Sequence, residues 1–93
     1  LVKVDSYHHG VAVFNGTMFG LTGSYVGTEH LNDAPNDLHC GNLYINRKCT
    51  GALVDVEPFG GYNMSGTCSK AGGRDYLGLF MQMKSVSERP LPK

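Results

Sequence analysis

Residues 41–73 read GNLYINRKCTGALVDVEPFGGYNMSGTCSKAGG, and this stretch decides how the rest of the chain is read. Leu43 to Ile45 is a short apolar run between Gly41 and Asn46, which predicts a buried strand. Thr50-Gly51-Ala52 follows as a loop in which glycine lets backbone approach a ligand closely, and unpaired amides in such a turn form an anion-binding concavity. From the residues alone, an ordinary tight turn after a strand fits Gly51 and Ala52 as well. Pro58 fixes one backbone angle before Phe59, and Gly60-Gly61 lets the chain reverse after it. Phe59 is thereby a candidate pocket wall. The other reading is a core phenylalanine behind the turn, stabilising it by about 1.5–3 kcal/mol of burial.

Working upstream, Leu1 to Val4 alternates apolar with Lys3 and predicts a short strand, followed by a polar connection from Asp5 to Gly10. Val11 to Thr17 is a poor helix by propensity, because its β-branched residues lose side-chain freedom there and Gly10 loses backbone freedom. Ser24 to Val26 predicts a strand leaving the turns at Gly20 and Gly23. In the connection that follows, Pro35 breaks a helix interior. Two arrangements remain: a short helix after Thr28 that stops before Pro35, or a helix with Pro35 in its first turn and Asp33 as its cap. Downstream, Arg74 to Leu79 has room for one helical turn. From Leu79 the pattern turns to period two, with Leu79, Met81 and Met83 on one face, which predicts a half-buried strand with an exposed edge. Ser87 to Lys93, with Pro90 and Pro92, is a tail.

Ninety-three residues allow one small domain that buries a smaller share of its surface than a typical domain does. Eight basic residues balance eight acidic ones, which turns the reading away from nucleic acid and anionic membranes as main partners. Cys40, Cys49 and Cys68 are odd in number and at no metal-ligand spacing, which fits a reducing compartment, the cytoplasm by default. No apolar run is long enough to span a bilayer, and no charged-then-apolar leader opens the sequence. The chain begins at Leu1 with no initiator Met, and the composition fits a piece of a longer polypeptide better than a whole one.

The runs GNLY, TGA, PFGG, SGT, SKAGG, DYL and MQ-K, together with Phe19-Gly20-Leu21-Thr22-Gly23 upstream, resemble the C-terminal part of aldehyde dehydrogenases. The similarity is strongest to the 1-pyrroline-5-carboxylate (glutamate semialdehyde) dehydrogenase branch. The resemblance implies an α/β fold: part of a catalytic domain over residues 1–78, and a bridging oligomerisation β-strand and tail over 79–93. It implies NAD-dependent oxidation of an aldehyde to a carboxylate in the parent enzyme, with a cysteine nucleophile. It assigns Gly51 and Ala52 to a substrate anchor loop whose amides take the α-carboxylate of glutamate semialdehyde, and Phe59 to the wall against its aliphatic chain. At Asp55 and Glu57 it implies a glycine and an amide instead. The two carboxylates found there would oppose a carboxylate ligand.

No catalytic, cofactor or metal residue is assigned within the chain itself. Cys68 lies two residues after a glycine, yet the nucleophile implied by the resemblance lies far upstream of PFGG. Cys40 and Cys49 read as small packing residues. His8, His9, His30 and His39 have no ligand spacing, and no G-x-G-x-x-G or Walker motif occurs. Asn15-Gly16-Thr17 and Asn63-Met64-Ser65 match the glycosylation acceptor pattern only as chance triplets do. Two functions follow. One is the C-terminal segment of such a dehydrogenase, completed by the remainder of its chain and by a second copy. The other is a degenerate remnant acting as an oligomerisation or interaction module through its Leu79 to Val86 edge.

Overall fold

The computed structural model describes residues 1–66 and 70–93. Its centre is a parallel pair of strands, β2 (Thr22–Tyr25) and β3 (Asn42–Ile45), in register from Thr22 opposite Asn42 to Tyr25 opposite Ile45. The ladder is extended at one end by Gly41 N–H donating to the Gly20 carbonyl at 2.9 Å. At the other end the Asn46 side-chain amide bonds both the N–H and the carbonyl of Gly27, at 2.8 and 2.9 Å. A second, antiparallel pair joins β1 (Phe19–Gly20) to β4 (Tyr62–Asn63). Helix α1 (Tyr7–Asn15) precedes the strands, and a short helix α2 (Ala34–Asp37) lies in the β2–β3 crossover. Mixed helices and strands of this kind agree with the α/β reading. The strand predicted at Leu43 to Ile45 is present, but only Tyr44 in it is buried. Leu43 and Ile45 are half-buried, since a two-stranded sheet leaves much of both faces open.

Two local expectations change. Leu1 to Val4 carries no strand. The segment with poor helix propensity is helical from Tyr7 to Asn15, started by Ser6, whose hydroxyl accepts from His9 N–H at 3.1 Å. Tertiary contacts override propensity here. The Asn15 amide donates to the Asp37 carbonyl at 2.8 Å and accepts from His39 N–H at 2.9 Å, and the Tyr7 hydroxyl donates to Asp37 Oδ2 at 2.9 Å. The Phe14 ring fills the space over Gly23, where a Cβ would come within 2.8 Å of Phe14 Cε2. Of the two arrangements open at Pro35, the second holds: the proline sits in the first turn of α2, where its missing N–H costs nothing. Asp33 occupies the cap position without making the cap bond. Its carboxylate lies 3.3 Å from His30 Nδ1.

At the C-terminal end, a 3-10 turn from Tyr76 to Phe80 takes the place of the strand predicted from Leu79, closed by an edge-to-face contact of the Tyr76 and Phe80 rings at 5.3 Å. Extended backbone begins at Met81, and residues 81–93 are exposed with no strand beside them among the described residues. The molecule is accordingly long, 78 × 24 × 23 Å, with a radius of gyration of 19.9 Å. A compact chain of this length would have about 12 Å. Its accessible surface is 7953 Å², against roughly 5300 Å² for a folded monomer of the same mass. The buried apolar core among the described residues is Ala34, Leu38, Cys40 and Tyr44.

Tyr7 ties α1 to α2 and stacks on His30 with ring centroids 4.0 Å apart. Desolvation in this cluster, then the Asp37 carboxylate that its hydroxyl bonds, push its pKa up from 10.0 to about 12. The protonated form is therefore favoured by folding. That contribution is fully present below pH 10 and is lost as pH rises towards 12. An ultraviolet tyrosinate titration should show one tyrosine ionising last, and Tyr7→Phe should remove that final step while flattening the stability profile between pH 10 and 12.

Candidate functional site

Strand β3 ends at Ile45, and the chain then turns through Arg47 into the loop that carries Gly51 and Ala52. Gly51 has φ +83°, a left-handed conformation that glycine adopts without strain. Neither the Gly51 nor the Ala52 N–H donates a hydrogen bond among the described residues. Phe59 is held by reciprocal hydrogen bonds with Ala71 in which each N–H donates to the other's carbonyl at 2.8 Å. Gly51, Ala52 and Phe59 line one open cavity of about 540 Å³, together with Leu21, Thr22, Tyr44, Cys49 and Thr50. Phe59 is 39% exposed, so its ring is available to the cavity while its backbone is fixed. The structure thus brings together the three residues singled out in the sequence.

The loop is braced from outside. Arg47 Nη1 lies 3.0 Å from Glu57 Oε1, its Nη2 donates to the Thr50 carbonyl at 3.3 Å, and its guanidinium sits 4.8 Å from the Tyr44 ring centroid. Glu57 Oε2 accepts from Leu53 N–H at 3.1 Å. The Glu57 carboxylate is thus neutralised by Arg47 and occupied by a backbone donor, which removes much of the repulsion that a bare charge would exert on an anionic ligand. Asp55 does not line the cavity, and its N–H donates to the Gly72 carbonyl at 2.7 Å. It has φ +62°, which gives a physical reason why glycine suits that position.

Beneath Phe59, Asn42 and Lys70 form a polar clasp. Asn42 donates to the Pro58 carbonyl at 3.0 Å and accepts from Gly60 N–H at 3.2 Å. Lys70 Nζ donates to the carbonyls of Gly41 and Gly60 and to Asn42 Oδ1. Gly41 is the point of closest approach, where any Cβ would fall on the Gly60 carbonyl and within 2.6 Å of Gly61 Cα. Asn42 and Lys70 both lie in runs that carry the family resemblance, but they have no local signature of a joint role, being 28 residues apart. The Arg47–Glu57 pair spans ten residues with no helical or strand period and is equally silent in sequence.

Cys40 is buried, its thiol donating to the Asn42 carbonyl at 3.5 Å. Desolvation raises its pKa, while the Lys70 charge acts the other way. It is a packing residue. Cys49 is half-buried and lines the cavity. The reading of Cys68 lies outside the described residues. His9 faces Asp5 at 3.7 Å and His30 stacks on Tyr7, and no three metal-ligating side chains converge among the described residues. No helix among the described residues is long and apolar enough to cross a membrane.

The left-handed backbone at Asp55 makes a direct prediction. Asp55→Gly should stabilise the protein by about 1 kcal/mol in denaturant unfolding, by relieving an αL side chain. An unchanged or lower midpoint would contradict the local geometry.

Comparison with known proteins accords with this arrangement. Residues 1–86 match the aldehyde dehydrogenase family. The 1-pyrroline-5-carboxylate dehydrogenases of Bacillus thuringiensis (strain Al Hakam) and Bacillus cereus (strain AH187) are 53% identical over 88 residues, which cover 92% of this chain and 17% of theirs. A Thermus thermophilus 1-pyrroline-5-carboxylate dehydrogenase superposes with a TM-score of 0.88 at 50% identity, over 95% of this chain and 17% of that one. A Thermus enzyme of the same name, solved with bound NAD, gives the same values. The chain therefore spans about a sixth of the length of these relatives, and its fold corresponds to that portion of theirs. On the family match and on these identities, the chain belongs to the aldehyde dehydrogenase family.

Proposed function

We propose that this chain is the C-terminal segment of an NAD-dependent 1-pyrroline-5-carboxylate dehydrogenase of proline catabolism. In that role it supplies the substrate anchor loop, an aromatic pocket wall and a subunit-bridging strand. The observation that carries the reading is the one cavity that Gly51, Ala52 and Phe59 line together, with neither the Gly51 nor the Ala52 N–H donating a hydrogen bond among the described residues. A ligand with a carboxylate at one end and a short aliphatic chain fits this pairing. The amides accept the anion, Gly51 lets the backbone present them, and the Phe59 ring covers the methylene groups. Holding the substrate at its far end fixes where its aldehyde carbon lies, which is the segment's share in catalysis.

The chemistry itself belongs to the remainder of the polypeptide. The parallel pair β2–β3 is linked by a crossover containing a four-residue helix, without the glycine-rich turn that holds a pyrophosphate. These residues therefore do not fit the dinucleotide, and NAD is assigned to the rest of the enzyme. The nucleophile and general base are assigned there too, and the whole to the cytoplasm. In the complete polypeptide, Phe59→Ala should raise KM for glutamate semialdehyde about tenfold while leaving kcat within roughly threefold, as loss of about 1.4 kcal/mol of binding does. An unchanged KM would contradict the pocket assignment. Absence of turnover by the unaltered enzyme would contradict the reaction.

A second reading, an interaction module that pairs through Leu79 to Val86, is favoured by the exposure of Leu79, Phe80, Met81, Met83 and Val86 along a segment with no strand beside it among the described residues. A proline at Met81 removes a ladder N–H and blocks strand addition. Met81→Pro should convert the assembly to a smaller species in light scattering under either reading. Loss of association with intact turnover favours the enzyme, whereas unchanged association argues against a bridging strand.

A further inference from the structure

We propose that Lys70 is a positioning residue for the Phe59 wall, its ammonium serving as an internal cation for a ring of accepting oxygens on Gly41, on the first residue of β3 and on the Pro-Phe-Gly-Gly turn. This rests on the substrate pocket proposed above. The ring is made by the carbonyls of Gly41 and Gly60 and by Asn42 Oδ1. It uses all three N–H donors of a lysine, so the ammonium is fully coordinated by protein. A further face is covered by the Tyr62 ring, whose centroid lies 5.9 Å from Nζ.

The consequence for the pocket follows from what those oxygens belong to. Gly60 immediately follows Phe59, and Pro58 immediately precedes it. Lys70 grips the first directly and the second through Asn42, whose amide donates to the Pro58 carbonyl. The next residue, Ala71, bonds both the N–H and the carbonyl of Phe59 itself. The Lys70-Ala71 dipeptide therefore fixes the aromatic residue and both its neighbours against β3, the strand that leads into the Gly51 loop. The spacing between ring and anchor amides is set by that grip. Removing the ammonium leaves two inward carbonyls facing each other with no donor between them, and they separate. Charge-assisted bonds of this kind are stronger than neutral ones.

Chemical rescue tests this in the complete enzyme. Lys70→Ala deletes a propylammonium group, so n-propylammonium at tens of millimolar should refill the void. The expected result is a KM for glutamate semialdehyde raised about tenfold with kcat within roughly threefold, restored by propylammonium but not by tetramethylammonium, which has no N–H. A lowered melting temperature with unchanged KM would make Lys70 merely structural and overturn the proposal. Equal rescue by both cations would also overturn it, since charge without donors would then suffice. Should Lys70→Ala fail to fold, Lys70→Met keeps the stem without the donors and should show the same split in KM and kcat. If the unaltered enzyme shows no turnover, the pocket's assigned reaction fails. Amide exchange at Phe59 and Gly60 then decides Lys70: protection lost in the variant and restored by propylammonium alone supports the grip, and protection unaffected by the variant overturns it.

Discussion

One ammonium group holds three segments of this chain together. Lys70 reaches from the glycine loop to Gly41, just before β3, and to the Pro-Phe-Gly-Gly turn, and Asn42 completes the contact. A part-buried backbone carbonyl that loses its donor must turn to solvent, so the clasp ties the turn to the strand region as long as the ammonium is in place. It also explains the sequence around it. Gly41 must lack a side chain because the Gly60 carbonyl occupies that space, and the asparagine of the GNLY run serves the turn rather than the strand. The pocket wall and the strand behind it are in effect one unit.

That polar solution matters because the apolar one is thin. With a buried apolar core of Ala34, Leu38, Cys40 and Tyr44 among the described residues, hydrophobic burial contributes little here compared with a self-contained domain. Many large apolar side chains remain exposed, Leu53, Val54 and Val56 after the Gly51 loop and Leu77, Phe80 and Met83 further on. Exposure on this scale accords with a segment spanning about a sixth of its relatives' length. Within it, hydrogen bonds give the cavity its shape: Asn42 and Lys70 under Phe59, and Arg47 with Glu57 outside the Gly51 loop.

Much of this was legible in the sequence, for identifiable reasons. The strand at Leu43 to Ile45 follows from local pattern; the one expected over Ser24 to Val26 is present but shifted to Thr22–Tyr25, with Gly23 inside it instead of in a turn before it, and turn chemistry narrowed Pro35 to two arrangements, of which one is found. Gly51, Ala52 and Phe59 were singled out by residue type and by motif, and they share one cavity. What escaped was non-local. Helix α1 forms against its own propensity because Asn15 and Tyr7 bond Asp37, more than twenty residues away in each case. The neutralising of Glu57 by Arg47 crosses a loop with no period to reveal it. The alternation from Leu79 reads as a strand, but a strand needs a neighbour. With none beside them among the described residues, Leu79 and Phe80 close a 3-10 turn instead.

The most direct measurement is site-resolved amide hydrogen exchange at Phe59, Gly60 and Ala71. If the clasp holds the pocket wall to β3, these three amides should exchange together and as slowly as those of the β2–β3 ladder, and far more slowly than Met83 to Val86. Exchange of Phe59, Gly60 and Ala71 at the rate of the tail would contradict the account at its centre.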